Sequence, residues 1–331
     1  MNYPVIVYDV DSSQPDPDAV YFRGPWHKIL WDDTVLILRS AREIPNIFLP
    51  LPTLGIRAGP GNLKDITNWG AIFQAIAILV SFIITIGGIF AFFLGVPMPF
   101  VAYAILVIFL QINVRIQGPE TRVSRPADDE KAFKKEAWLF VNGIATSGSG
   151  VQLSVDFLRE KFGRQVIGIC NRTQGIWFDL VECMLQRDLL WPTQDVNLGY
   201  AILSAKIRDQ NLKRVVLIAH SQGGIIASTW LDQLLADFPT SQLNKLEIYT
   251  FASASNHFSA PSDGSLSSPF GRIEHFANSR DFVADIGVLA FAPNENRAVM
   301  PPGGTVPKAG GRYAGRIFKR IGHTGHLLLS H

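Results

Sequence analysis

Hydrophobic positions along the chain fall into two regimes. From about Glu130 onward, short apolar runs alternate with stretches of helical periodicity. The runs Trp138–Asn142, Val166–Cys170, Arg214–Ala219, Leu246–Ala252, Arg272–Asn278 and Gly315–Ile321 predict strands. Between them Gln152–Phe162, Trp177–Arg187, Leu198–Asp209 and Gly223–Phe238 predict helices. Strands alternating with helices imply a parallel sheet covered on both faces. A unit of about 200 residues can bury such a core.

The second regime is a stretch with no periodic polar face. From Ile66 to Val114, 49 residues pass without an Asp, Glu, Lys, Arg or His. Ala71 to Leu94 predicts an apolar helix of 24 residues, which at about 1.5 Å per residue covers a bilayer core of about 30 Å with tilt. Gly95-Val96-Pro97-Met98-Pro99 breaks it. Phe100 to Val114 predicts a second, shorter helix. Two such helices form a hairpin. Arg57 and Lys64 precede it, and Arg115, Arg122, Arg125, Lys131, Lys134 and Lys135 follow it, whereas the turn carries no charge. The positive-inside rule then puts both ends in the cytosol, with Trp69 and Tyr103 near the interface. Both a two-pass span and a single-leaflet hairpin on a lipid droplet fit this pattern.

The organisation read from these patterns is an N-terminal segment 1–65, a hairpin region 66–117 and a catalytic region 118–331. The N-terminal segment packs on the catalytic region or lies at the membrane surface. It contains the strand-like PVIVY and the stretch WDDTVLILRSAREI, which suits a short helix or strand. The opening MNYPVIVYDVDSS has no basic region and its apolar run stops at Asp9, so no signal peptide is expected.

Composition narrows the function classes. The chain has 331 residues, of which 47% are hydrophobic and 18% charged. A mean hydropathy of +0.18 excludes a largely disordered chain. A formal net charge of +2 gives no reason to expect nucleic acid as a partner. Cys170 and Cys183 lack metal-binding or disulfide spacing and read as buried apolar groups. No cofactor is implied.

The strongest chemical signal is RVVLIAHSQGGIIA, where a β-branched strand enters His220-Ser221-Gln222-Gly223-Gly224 and a helix follows. A tight strand-to-helix turn lifts a serine hydroxyl clear of a sheet, provided that small residues flank it two positions away. Here those positions are Ala219 and Gly223. The N–H of Gln222, at the helix N-terminus, is the expected first oxyanion donor. A second donor is expected from the loop after an earlier strand, at Gly143 or Ile144 in WLFVNGIATS. In this arrangement the acid and then the histidine follow the serine along the chain. Asp281, in the polar turn after a strand, is the preferred acid over Asp285. His326 is the preferred base over His323 and His331, and His220 reads as structural. Three closely spaced histidines without a carboxylate do not suggest a metal site.

Taken together, FVNGIATS, GICNRTQGIWFDLVEC, VVLIAHSQGG, FANSRDFVADIGVL and GRIFKRIGHTGHLLLSH resemble the serine-esterase branch of the lipase-like α/β-hydrolases, as found in filamentous fungi. AREIPNIFLPLPTLGIRAGPG, before the hairpin, resembles the same group. The resemblance implies an α/β-hydrolase fold, here preceded by a two-helix transmembrane hairpin. It matches Ser221 to the nucleophile, Asp281 to the acid and His326 to the base, and it supplies no substrate. The expected activity is cleavage of lipophilic carboxylic esters at a bilayer or lipid-droplet surface, in the endoplasmic reticulum or on droplets. The alternatives are acyl transfer to an alcohol by the same triad and a catalytically inactive membrane scaffold.

Overall fold

A computed structural model describes residues 4–10, 25–47, 118–126, 133–144, 146–172, 176–191, 193–260, 268–292, 305–306, 312–326 and 328, with scattered helical residues between Ile76 and Phe93. The elements in chain order are β1 (Val5–Val10), α1 (Trp26–Ser40) running into a 3-10 helix (Ala41–Ile47), β2 (Thr121–Val123), β3 (Glu136–Val141), α2 (Gly148–Phe162), β4 (Val166–Ile169), α3 (Ile176–Leu189), α4 (Gln194–Arg208), β5 (Arg214–His220), α5 (Gly223–Asp237), α6 (Thr240–Leu243), β6 (Leu246–Phe251), β7 (Arg272–Asn278), α7 (Phe282–Ile286), β8 (Thr305–Val306) and β9 (Gly315–Arg320).

The nine strands form one sheet in the order β2-β4-β3-β5-β6-β7-β9-β1-β8. Its centre, β4-β3-β5-β6-β7-β9, is parallel throughout. The chain moves outward from β3 to β4, then returns across β3 to β5 and winds the other way. The reversal creates a switch point between β3 and β5, the place at which open parallel sheets generally bind ligands. Alternation along the buried strands explains the two-sided core. Leu139, Val141, Val215, Leu217 and Ala219 enter the larger cluster with α4 and α5. Trp138, Phe140, Val216 and Ile218 face α2, with Val151, Val155 and Leu158. All six expected strands and four expected helices are present, with ends shifted by a few residues. α2 starts before its apolar periodicity because the Ser147 hydroxyl caps it, accepting from the Gly150 N–H at 3.2 Å.

The N-terminal residues are more deeply involved than packing onto the catalytic region would require. β1 is a strand of the sheet, antiparallel to β9 from Val5↔Arg320 to Val10↔Gly315. α1 is helical and packs on α3 and α7, with Ile37 against the cluster of Ile225, Ala254, Phe282 and Val283. The expected hairpin helix 100–114 lies outside the described residues, as does most of 71–94. Within the latter, Ile76, Leu79, Ile83, Ile86, Phe90 and Phe93 are helical and exposed. Among the described residues no helix is long and apolar enough to cross a membrane.

Candidate active site

The site is built at the switch point. β5 ends at His220, and Ser221 takes a φ of 59°, a left-handed conformation that is costly for a side chain other than glycine. The surrounding backbone holds it there. The Ser221 N–H donates to the Phe251 carbonyl at 3.0 Å, and the Ser221 carbonyl accepts from the N–H groups of Gly224 (2.9 Å) and Ala254 (3.1 Å). The small residues after the serine follow from close approach. A Cβ at Gly223 would lie 2.5 Å from the Val141 carbonyl oxygen, and one at Gly224 would lie 2.3 Å from Ser253 Oγ.

The structure brings Ser221, His326 and Asp281 together. His326 Nε2 lies 3.0 Å from Ser221 Oγ, and His326 Nδ1 lies 3.1 Å from each carboxylate oxygen of Asp281. With Nδ1–H donating to the carboxylate, Nε2 accepts from the serine hydroxyl, the orientation that proton abstraction requires. Asp281 is fully buried and also caps α7, accepting from the Val283 N–H at 3.0 Å. The cap and the histidine contact are therefore one carboxylate doing two jobs.

The loop carrying His326 is held from three sides. Asn278 Nδ2 donates to the Gly325 carbonyl at 2.9 Å. His220 Nε2 donates to the His326 carbonyl at 2.7 Å. The Gly322 N–H donates to Ser279 Oγ at 2.8 Å. His220, read from sequence as structural, thus positions the backbone of the histidine that faces the serine. Gly325 has a φ of +106°, which only glycine adopts without strain.

Gly143 sits directly against the serine: a Cβ there would lie 2.4 Å from Ser221 Cβ and 2.8 Å from its Oγ. Asn142 Nδ2 donates to the Gly143 carbonyl at 2.9 Å. Because the peptide is planar and trans, this hold directs the Ile144 N–H the opposite way. Among the described residues no backbone carbonyl accepts from the N–H of Gln222 or of Gly143. Sequence reasoning missed the buried amides behind these groups. Asn171 Nδ2 donates to Gln222 Oε1, Gln222 Nε2 to Gln186 Oε1 at 3.0 Å, and Gln186 Nε2 to Glu182 Oε1 at 2.8 Å. Asn142 and Asn171 close the other end, the Asn171 N–H donating to Asn142 Oδ1 at 2.8 Å. The side-chain N–H₂ groups of Asn171, Gln222 and Gln186 all point along the series toward Glu182, which accepts at its end. Burial, reinforced by Asp179 and Asp195, raises the Glu182 carboxyl to about 7.

The remaining candidates lie elsewhere. Asp285 is one turn further along α7, its carboxyl raised to about 6 by burial and then by Glu43 and Asp281. The His323 carbonyl accepts from the Arg280 N–H at 3.2 Å, on the approach to the site. His331 falls outside the described residues. His257 contacts Asp232 at 2.9 Å. His275 is held by Thr250 and the Ala314 carbonyl, and burial lowers it to about 4. The Cys170 thiol is pushed up to about 11 by burial, which removes it as a nucleophile. Among the described residues no group of three or more metal-binding side chains converges.

No protein-family model matches the chain, and no curated protein matches it. Among solved structures, esterase Est22 aligns with 58% of this chain and 74% of its own, at 10% identity and a TM-score of 0.30. A mutant of the same esterase aligns with 59% and 75%, at 9% identity and a TM-score of 0.31.

Proposed function

We propose that this protein is a serine hydrolase that cleaves carboxylic esters, with Ser221 as nucleophile, His326 as general base and Asp281 as its orienting acid. The observation that carries the reading is the hydrogen-bonded series Ser221–His326–Asp281, with the serine strained at the end of β5. His326 Nε2 takes the hydroxyl proton as Oγ attacks the ester carbonyl. The imidazolium is stabilised by the buried Asp281 carboxylate. The N–H of Gln222 and that of Gly143 or Ile144 hold the oxyanion, backed by the N-terminus of α5. Collapse of the intermediate sends the proton to the leaving alcohol and leaves an acyl-serine. Water, activated by the same imidazole, then releases the acid.

In this reading the substrate is a lipophilic ester and the protein is anchored by the hairpin of 71–94 and 100–114, with both ends cytosolic. The 49 uncharged residues support the anchor. Carriage on the endoplasmic reticulum or a lipid droplet would place the site where such esters concentrate.

The test is labelling by a fluorophosphonate probe together with turnover of short- and long-chain esters. Wild-type protein is expected to label and turn over, and Ser221→Ala to do neither. A folded wild-type chain that never labels would make it an inactive scaffold. Turnover of soluble short-chain esters with no activity on any lipid ester would remove the lipophilic substrate. Resistance to extraction by alkaline carbonate is expected for the anchor, and release into the wash would overturn it.

A further inference from the structure

α3 is folded inside out. Its polar side chains face the protein: Asp179, Gln186, Arg187 and Asp188 are each at most 4% exposed. Glu182 also faces inward, accepting from Gln186. The outward positions Phe178, Val181, Leu185 and Leu189 are hydrocarbon, continued by Leu190 and by Trp191 at 62% exposure. In water a surface helix does the reverse. α1, which packs against α3, shares the pattern in part: Asp33 is buried against Arg187, and Trp26, Trp31 and Leu38 are exposed beside the exposed His27, Lys28, Asp32 and Arg39.

We propose that the outer faces of α3 and α1 rest in the interfacial layer of a lipid surface, as a second contact besides the hairpin. The side chains choose this occupant over a protein. A protein partner needs roughly one hydrogen bond per 100–200 Å² of interface. Phe178, Val181, Leu185, Leu189 and Leu190 can supply none. The charged residues of α3 instead turn inward, with Arg187 on Asp33 and the Ala254 carbonyl and Glu182 on Gln186, which suits an apolar outer medium. Exposed tryptophans at Trp26, Trp31 and Trp191 suit the headgroup boundary. The chain continues from α1 toward the uncharged stretch, so lipid and this face are already close in sequence.

The inner side of the same helix reaches the site through Gln186 and Gln222. The docked face therefore leaves a single helix layer, about 10–12 Å thick, between the lipid and the Gln222 beside the serine. This use of the surface rests on the ester-hydrolase reading, but the docking itself does not.

The test uses the full chain reconstituted in phosphatidylcholine vesicles, with an environment-sensitive fluorophore on Leu185→Cys or, as control, on Lys206→Cys of α4. Position 185 is expected to be quenched by doxyl lipids and shielded from aqueous iodide, and position 206 the reverse. Equal iodide access at both positions would overturn the proposal. So would shielding at 185 without doxyl quenching, which would mean cover by a second copy, by another segment of this chain or by a protein partner. In parallel, Val181→Asp with Leu185→Asp is expected to lower turnover of a vesicle-borne ester about tenfold and to leave that of a soluble short-chain ester within about twofold. Equal loss on both substrates would count against docking. A protein that turns over neither ester in wild-type form would refute the hydrolase reading alone, since quenching still reports on the surface.

Discussion

Gly143→Ala tests whether the contact between the β3 loop and the serine matters for reaction or only for packing. The added methyl would start 2.4 Å from Ser221 Cβ, 2.8 Å from Oγ and 3.1 Å from the His220 carbonyl. Carbon atoms in contact sit about 3.5–4.0 Å apart, so one side must retreat by about 1 Å. Neither has room: Ser221 is tied at both its N–H and its carbonyl, and Gly143 is held by Asn142. A shift of that size at reacting atoms costs about 10²-fold, equivalent to about 2.7 kcal/mol of barrier. Gly168→Ala is the control. Its methyl would meet Val151 Cγ1 at 2.7 Å and Val155 Cγ1 at 2.9 Å, a comparable overlap between β4 and α2. Overpacking of this kind costs about 1–3 kcal/mol of stability. Steady-state turnover of a soluble ester, with thermal melting of each variant, separates the two. Gly143→Ala is expected to lose kcat about 100-fold with KM little changed, and Gly168→Ala to lose Tm with kcat retained. If kcat of Gly143→Ala stays within about threefold of wild type, or if both variants lose kcat alike, the reasoning about the serine contact is wrong.

Asp281→Asn should keep the cap on Val283 while reversing the imidazole tautomer, so kcat is expected to fall about 10³–10⁴-fold with Tm nearly unchanged; unaltered kcat would move the acid elsewhere. Glu182 has its folded pKa raised to about 7, above the unfolded value near 4.3, so its protonated form is favoured by the fold and its contribution fades as pH rises between those values. Glu182→Gln retains an acceptor for Gln186 and removes the charge. It should raise Tm by a few degrees at pH 8 and change little at pH 4, whereas a lower Tm at pH 8 would contradict the direction of the shift.

The elements and the serine turn were legible because each is written locally. The VVLIA run, the HSQGG turn and the helix after it occupy adjacent residues, and burial of parallel strands leaves continuous apolar runs. The choice among Asp281, Asp285, His323, His326 and His331 was not local. It depends on how the turn after β7 and the loop after β9 face one another, which Asn278, His220 and Ser279 decide by holding that loop. The amide series was invisible for the same reason: Asn142 lies 29 residues from Asn171, and Asn171 lies 51 from Gln222. Helical periodicity located α3 but could not say which face turns inward. Inward hydrocarbon is the usual outcome in water, and here the buried Asp179, Gln186, Arg187 and Asp188 reverse it. β1 was legible as a strand but not as a member of the sheet, because its partner β9 lies some 300 residues away in the chain.

That pairing dictates an order of events. β9 delivers the loop that carries His326, and along the edge facing away from β7 it is covered by β1, with the Ile321 N–H donating to the Pro4 carbonyl at 2.9 Å. The Val5–Val10 strand must therefore wait for a partner some 300 residues later in the chain. During synthesis β1 has no β9 to join, and the β5 turn can form before the loop that carries His326 exists. Pairing over such a separation costs loop-closure entropy, so this contact is expected to form late in folding. Removing the first ten residues would leave β9 as an open edge beside the site, unpaired at the strand on which the histidine loop depends.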